Sequence, residues 1–139
     1  MSRRWSASCA VVLAAIALGA CGLNVQSADL FLLTRTGPGG KLTLLVNDAG
    51  TISCDGAAAR SLPDPMLLQA RDLAGALDSD AKAGLRIASK AGSVYHYSVR
   101  TADGTITFPD TAAAGRKELA QAELFALQAA QSPCKLRGS

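Results

Sequence analysis

Lys41-Leu42-Thr43-Leu44-Leu45-Val46-Asn47, then Asp48-Ala49-Gly50, then Thr51-Ile52-Ser53-Cys54 is the stretch that decides the fold. Leu42, Leu44 and Val46 recur at every second residue, the period of a strand with one buried face. Asp48-Ala49-Gly50 is turn chemistry, and Ile52 and Cys54 resume the same alternation. Upstream, Leu30 to Thr36 reads as a further strand, joined to the first through Gly37-Pro38-Gly39-Gly40. Three consecutive short strands with tight connections make an antiparallel meander.

Downstream, Pro63-Asp64-Pro65 marks a helix start, with Asp64 placed to cap free amides and Pro65 tolerated in the first turn. Met66, Ala70, Leu73 and Leu77 then recur at helical spacing. Asp78 to Gly92 lacks a clear period and reads as a connecting loop with a short helical piece. Val94 to Thr101 and Thr105 to Phe108 form a hairpin around Ala102-Asp103-Gly104, with Tyr95, Tyr97 and Val99 on one face. A closing helix from about Gly115 to Gln131 would bury Leu119, Ala122, Phe125, Ala126 and Ala129 and stop before Pro133. The order strand-strand-strand-helix-strand-strand-helix predicts a small α+β domain: an antiparallel sheet of about five strands with two helices on one face.

This domain follows an export signal. Arg3 and Arg4 precede a wholly apolar run from Ala10 to Leu18, too short to span a bilayer as a permanent helix. Ser2-Arg3-Arg4 hints at a twin-arginine signal, but Ser6 and Ala7 stand where that motif is apolar, which favours export of the unfolded chain. Leu18-Gly19-Ala20-Cys21 resembles the lipobox of bacterial lipoprotein precursors at all four positions. The resemblance implies cleavage after residue 20 and acylation of Cys21, with 21–28 as lipidated tether and 29–139 as the domain. Two acyl chains make a stable anchor where one is marginal. The expected location is the extracytoplasmic face of the cell membrane, with membrane lipid as one partner and a membrane or envelope protein as another. Gly22 to Ser27 extends to only about 20 Å, which keeps the domain close to the headgroups.

Cleavage leaves 119 of the 139 residues, the size of one domain. It also removes Arg3 and Arg4, so 12 basic side chains face 11 acidic ones and the net charge falls from +3 to +1. Nucleic-acid binding needs a concentrated basic face, and a net charge of +1 gives no electrostatic case for it. With Cys9 discarded and Cys21 lipidated, Cys54 and Cys134 remain in a compartment that permits oxidation, and they read as a disulfide. A metal site lacks ligands, since His96 is the one histidine in the chain; no cofactor is expected.

No set of residues spells a catalytic mechanism. Gly37-Pro38-Gly39-Gly40-Lys41 suggests a phosphate loop, but Leu42 stands where that motif has Ser or Thr, and a strand follows in place of a helix. His96 has no nucleophile elbow in the sequence to serve. Asp55, Asp64, Asp78, Asp80, Asp103, Asp110, Glu118 and Glu123 offer many possible carboxylate pairs, most of them at turns and helix starts, where acids belong structurally. Tyr95, His96 and Tyr97 are the candidate binding surface, with core packing as the plainer reading of the two tyrosines. Arg35, Thr43, Thr51, Arg100, Thr105 and Thr107 read as a solvated sheet face, and are also what a protein-binding sheet would show.

The Leu-Thr-Leu-Leu-Val and Gly-Thr-Ile-Ser-Cys strands, the Pro-led helix, the Val-Arg-Thr-Ala-Asp-Gly-Thr-Ile-Thr-Phe hairpin and the helix ending in Cys together resemble small lipoproteins of high-GC Gram-positive bacteria with no assigned role. Thr51-Ile52-Ser53-Cys54 before a Pro-containing turn and helix also resembles the subtilisin-inhibitor family, although the helix lacks that family's partner cysteine. The expected role is a non-enzymatic protein- or ligand-interaction domain. A protease inhibitor acting through Ala57 to Arg60 or Asp78 to Gly92 is the first alternative, and a cell-envelope hydrolase the second.

Overall fold

The computed structural model describes Val25 and residues 28–136. The expected signal peptide, Cys21 and most of the expected tether lie outside the described residues. Strands β1 (Asp29–Gly37), β2 (Gly40–Asn47) and β3 (Thr51–Cys54) form the meander, and Pro38-Gly39 makes the first turn, with Gly39 and Gly40 at φ values of 89° and 110° that favour glycine. Two residues then return as β4 (Arg60–Ser61), followed by α1 (Asp64–Ala83), β5 (His96–Arg100), β6 (Thr105–Pro109), a 3-10 turn (Asp110–Gly115) and α2 (Lys117–Gln131).

The six strands pair antiparallel with one another, in the order β4-β3-β2-β1-β5-β6. The sheet thus has six strands where the alternation of the sequence predicts five. Both residues of β4 are exposed, so no buried period announces it. The free edge of β6 is closed by Arg86 and Ile87, where Ile87 N–H donates to Thr107 O and Thr107 N–H to Leu85 O.

One face of the sheet carries Phe31, Leu33, Leu44, Val46, Ile52, Val99, Ile106 and Phe108, all fully buried against the helices. Leu73 and Leu77 of α1 and Leu119, Phe125 and Ala126 of α2 complete that core, and Phe31 meets Phe125 edge-on with ring centroids 5.4 Å apart. Helix α1 continues six residues into the segment expected to be loop, through Asp78-Lys82 on its surface and Ala81 in the core. Asp64 does not cap it: Pro63 holds the cap position and Asp64 is the first helical residue, where its charge still favours the helix amino end. Arg116 ties the two helices together, reaching Asp80 at 2.8 Å and Glu118 at 2.7 Å.

The disulfide forms between Cys54 and Cys134, joining the end of β3 to the segment after α2. Arg60 Nη1 donates to Pro133 O alongside it, a second link between the same two regions.

Candidate binding groove

Arg35 is the residue whose placement differs most from the sequence expectation. It pairs in register with Leu42 on one side and Tyr97 on the other, so its side chain leaves the sheet on the helix-covered face. Thr43, Thr51, Arg100, Thr105 and Thr107 do lie on the opposite, helix-free face, together with Thr34, Lys41 and His96. Because side chains alternate, Phe31, Leu33 and Arg35 share one side of β1. Arg35 occupies the end of that row, where the core opens to solvent.

There the sheet and α2 part to leave a recess of about 430 Å³, lined by Arg35, Tyr95, Tyr97, Ala120, Glu123, Leu124 and Leu127. The four α2 residues sit at spacings of three and four and form one stripe beside the buried one. Leu124 and Leu127 are 48% and 41% exposed. Tyr97 packs its ring on Phe108 at 5.2 Å, nearly parallel, and burial pushes its hydroxyl up to about 12, helped by the negative charge of Glu123. Tyr95 lies just ahead of β5. Its backbone is pinned to Asp110, whose carboxylate accepts from the N–H groups of Val94, Tyr95 and Thr111 and whose own N–H donates to Tyr95 O. The Arg35 guanidinium stands 5.0 Å from the centroid of the Tyr95 ring, a cation–π arrangement.

Two polar groups in this recess have unused capacity. Arg35 has no ion pair or hydrogen bond among the described residues, and Glu123 Oε1 is buried without a partner. A buried polar atom with no partner is costly to the fold. Burial pushes the Glu123 carboxyl up to about 7, with the nearby Asp110 charge adding to the effect. No family model, curated protein or solved structure matches this chain.

The triplet Tyr95, His96 and Tyr97 is split by the sheet. The two tyrosines reach the recess, while His96 points to the other face, where its Nε2 meets Ser89 Oγ. That pair has the atoms of a serine–histidine couple. Among the described residues, however, no carboxylate bonds the Nδ1 atom to orient the ring, which a general base of this kind needs. The acids are distributed by structural duty. Asp55 accepts from Thr43 N–H, Asp78 pairs with Lys82, Asp80 and Glu118 hold Arg116, and Asp110 holds the backbone ahead of β5. Glu123 lines the recess.

Of the segments considered for a protease-binding loop, Arg60 belongs to β4 and residues 78–83 belong to α1. No group of three metal-ligating side chains occurs among the described residues, and no helix among them is long and apolar enough to cross a membrane. Sequence reasoning found Tyr95 and Tyr97 but missed Arg35, Glu123, Leu124 and Leu127. The available signal was the pair of leucines lying outside the buried stripe of the last helix.

Proposed function

We propose that the chain is a membrane-anchored extracytoplasmic lipoprotein whose domain binds a ligand or partner in the groove between Arg35, Tyr95 and Tyr97 on the sheet and Glu123, Leu124 and Leu127 on α2. The observation that carries the reading is the convergence on one open recess of the Arg35 guanidinium, without an ion pair among the described residues, the side chains of Glu123 and two tyrosines, and two exposed leucines. Glu123 Oε1 is itself buried without a partner, at a cost to the fold. The lining mixes apolar side chains with charged and hydroxyl groups, so a ligand there could meet both.

The lipobox supports the anchor, and chain geometry is compatible with it. Asp29 opens β1 and Arg35 lies six residues on, about 20 Å away at the rise of a strand. A domain hung from residue 21 therefore carries the groove at the end of β1 away from its attachment.

Placing a photocrosslinking side chain at Leu127 in living cells, with exposed Ala49 in the turn at the opposite end of β1 from Arg35 as control, tests both parts. The expected result is adducts from position 127 that position 49 does not give, on a protein that fractionates with membranes and is released by Cys21→Ser. Equal labelling at the two sites would refute the groove, and an unchanged membrane fraction in Cys21→Ser would refute the anchor.

A further inference from the structure

The groove's chemistry narrows its occupant, an inference that rests on the groove being the binding surface. Arg35 is permanently charged, offers five donors and is held over Tyr95 with no anion to meet it. The Tyr97 hydroxyl, whose residue lines the same recess, makes no hydrogen bond among the described residues. Opposite them, Leu124, Leu127 and Ala120 present an apolar wall that water covers at a cost. The complement of one fixed positive charge, a hydroxyl donor and an apolar wall is a molecule with a single anionic head and an apolar body. A cation is disfavoured because Arg35 cannot discharge. A dianion is disfavoured because Asp110 and Glu123 lie close by.

We propose that the groove binds a small monocarboxylate amphiphile, its carboxylate on the Arg35 guanidinium and Tyr97 hydroxyl and its aliphatic or aromatic body against Leu124, Leu127 and Tyr95. The volume of about 430 Å³ suits a compact ligand rather than a long chain. Glu123 then acts as a gate. Asp110 from the 3-10 turn acts on it directly, Tyr97 of the sheet feels its charge, and Arg35 and Tyr95 line the same recess, while Asp78 and Asp80 of α1 are held by Lys82 and Arg116. As a neutral acid, Glu123 supplies a further donor to the ligand. Once ionised, it repels the carboxylate.

The test uses the full chain in lipid nanodiscs, with methyl NMR of the leucines and three probes of one size: hexanoate, hexanamide and hexylamine. At about pH 6, hexanoate should saturably shift the Leu124 and Leu127 methyl signals and bind roughly tenfold more tightly than the other two, the difference expected of one charge-assisted hydrogen bond. Arg35→Met should bring hexanoate down to the level of the amide, with the core signals of Leu33 and Leu44 unchanged as evidence of an intact fold. Raising the pH to about 8.5 should weaken hexanoate about tenfold, and Glu123→Gln should abolish that weakening. Hexylamine binding as tightly as hexanoate, or an unaltered Arg35→Met, overturns the carboxylate assignment and leaves the groove a binding site of another selectivity. If no probe of any charge moves either leucine, the groove itself is not a binding surface.

Discussion

The ring of Tyr95 lies so close over Gly37 that a Cβ at that glycine would fall 2.4 Å from Tyr95 Cδ1 and 3.0 Å from the carbonyl oxygen of Val94. Gly37 ends β1 at a negative φ, so its role is space rather than backbone freedom. The glycine lets the ring settle flat beneath Arg35. Gly37→Ala should push the ring outward, break the cation–π contact and destabilise the domain by about 1 kcal/mol. A urea denaturation series together with the Tyr95 ring signals tests this, and wild-type stability with an unmoved ring would contradict it.

Two other glycines should respond in opposite directions. A Cβ at Gly104 would lie 2.0 Å from Ala81 O and 2.8 Å from Ala81 C, so the hairpin between β5 and β6 is pressed onto the end of α1, where backbone cannot swing aside. Gly104→Ala should cost at least about 1 to 3 kcal/mol. Gly75, exposed in the middle of α1, has nothing within 4 Å of a built Cβ, and Gly75→Ala should stabilise by about 0.5 to 1 kcal/mol through helix propensity alone. Thermal or urea midpoints give both values. Equal effects at the two sites would show that the Gly104 contact is not a constraint.

The meander and the hairpin were legible because one buried face imposes alternation on Leu42, Leu44, Val46, Ile52 and Cys54. Strand β4 was not, since Arg60 and Ser61 bury nothing and owe their pairing to the neighbouring strand. The second half of α1 was obscured by Asp78-Ser79-Asp80, whose polarity suits a surface stabilised by an i,i+4 pair to Lys82 and a long-range pair to Arg116. Arg35 was misplaced because its charge suggested solvent, whereas counting by twos from Leu33 puts it on the core side. The groove depends on where α2 lies along the sheet, and helix periodicity alone cannot specify that.

The Cys54–Cys134 disulfide closes a separation of 80 residues between the end of the meander and the segment after α2. In the chain-entropy account such a loop stabilises by up to about 4 kcal/mol. Replacing both cysteines by alanine should therefore lower the urea midpoint sharply while the denaturation slope rises, as the unlinked unfolded chain exposes more surface. A non-reducing peptide map should recover the two cysteines in one linked species. Free thiols at both positions in protein isolated from the cell envelope would refute the bond.

Glu123 makes the stability of the domain pH-dependent in a direction opposite to that of an ordinary paired acid. Its carboxyl is pushed from 4.5 up to about 7 by burial and then by Asp110, so the fold favours the neutral form. Between these values the native state holds more protons at this site than the unfolded chain does, and stability falls as pH rises. The contribution is complete below about pH 4.5 and gone above about pH 7. Because the side chain is partly open to solvent, the loss is about 1 kcal/mol after screening. Glu123→Gln, which keeps the shape and cannot ionise, should match the wild type near pH 4.5 and exceed it by about 1 kcal/mol near pH 8. Asp78 and Glu118, whose carboxyls are held low, slope the other way, but they are common to both proteins and cancel in the difference. Urea denaturation of the pair across this range gives the difference directly. A flat difference would mean that Glu123 is solvated in the folded state, and a decrease with pH would mean that it ionises against Arg35.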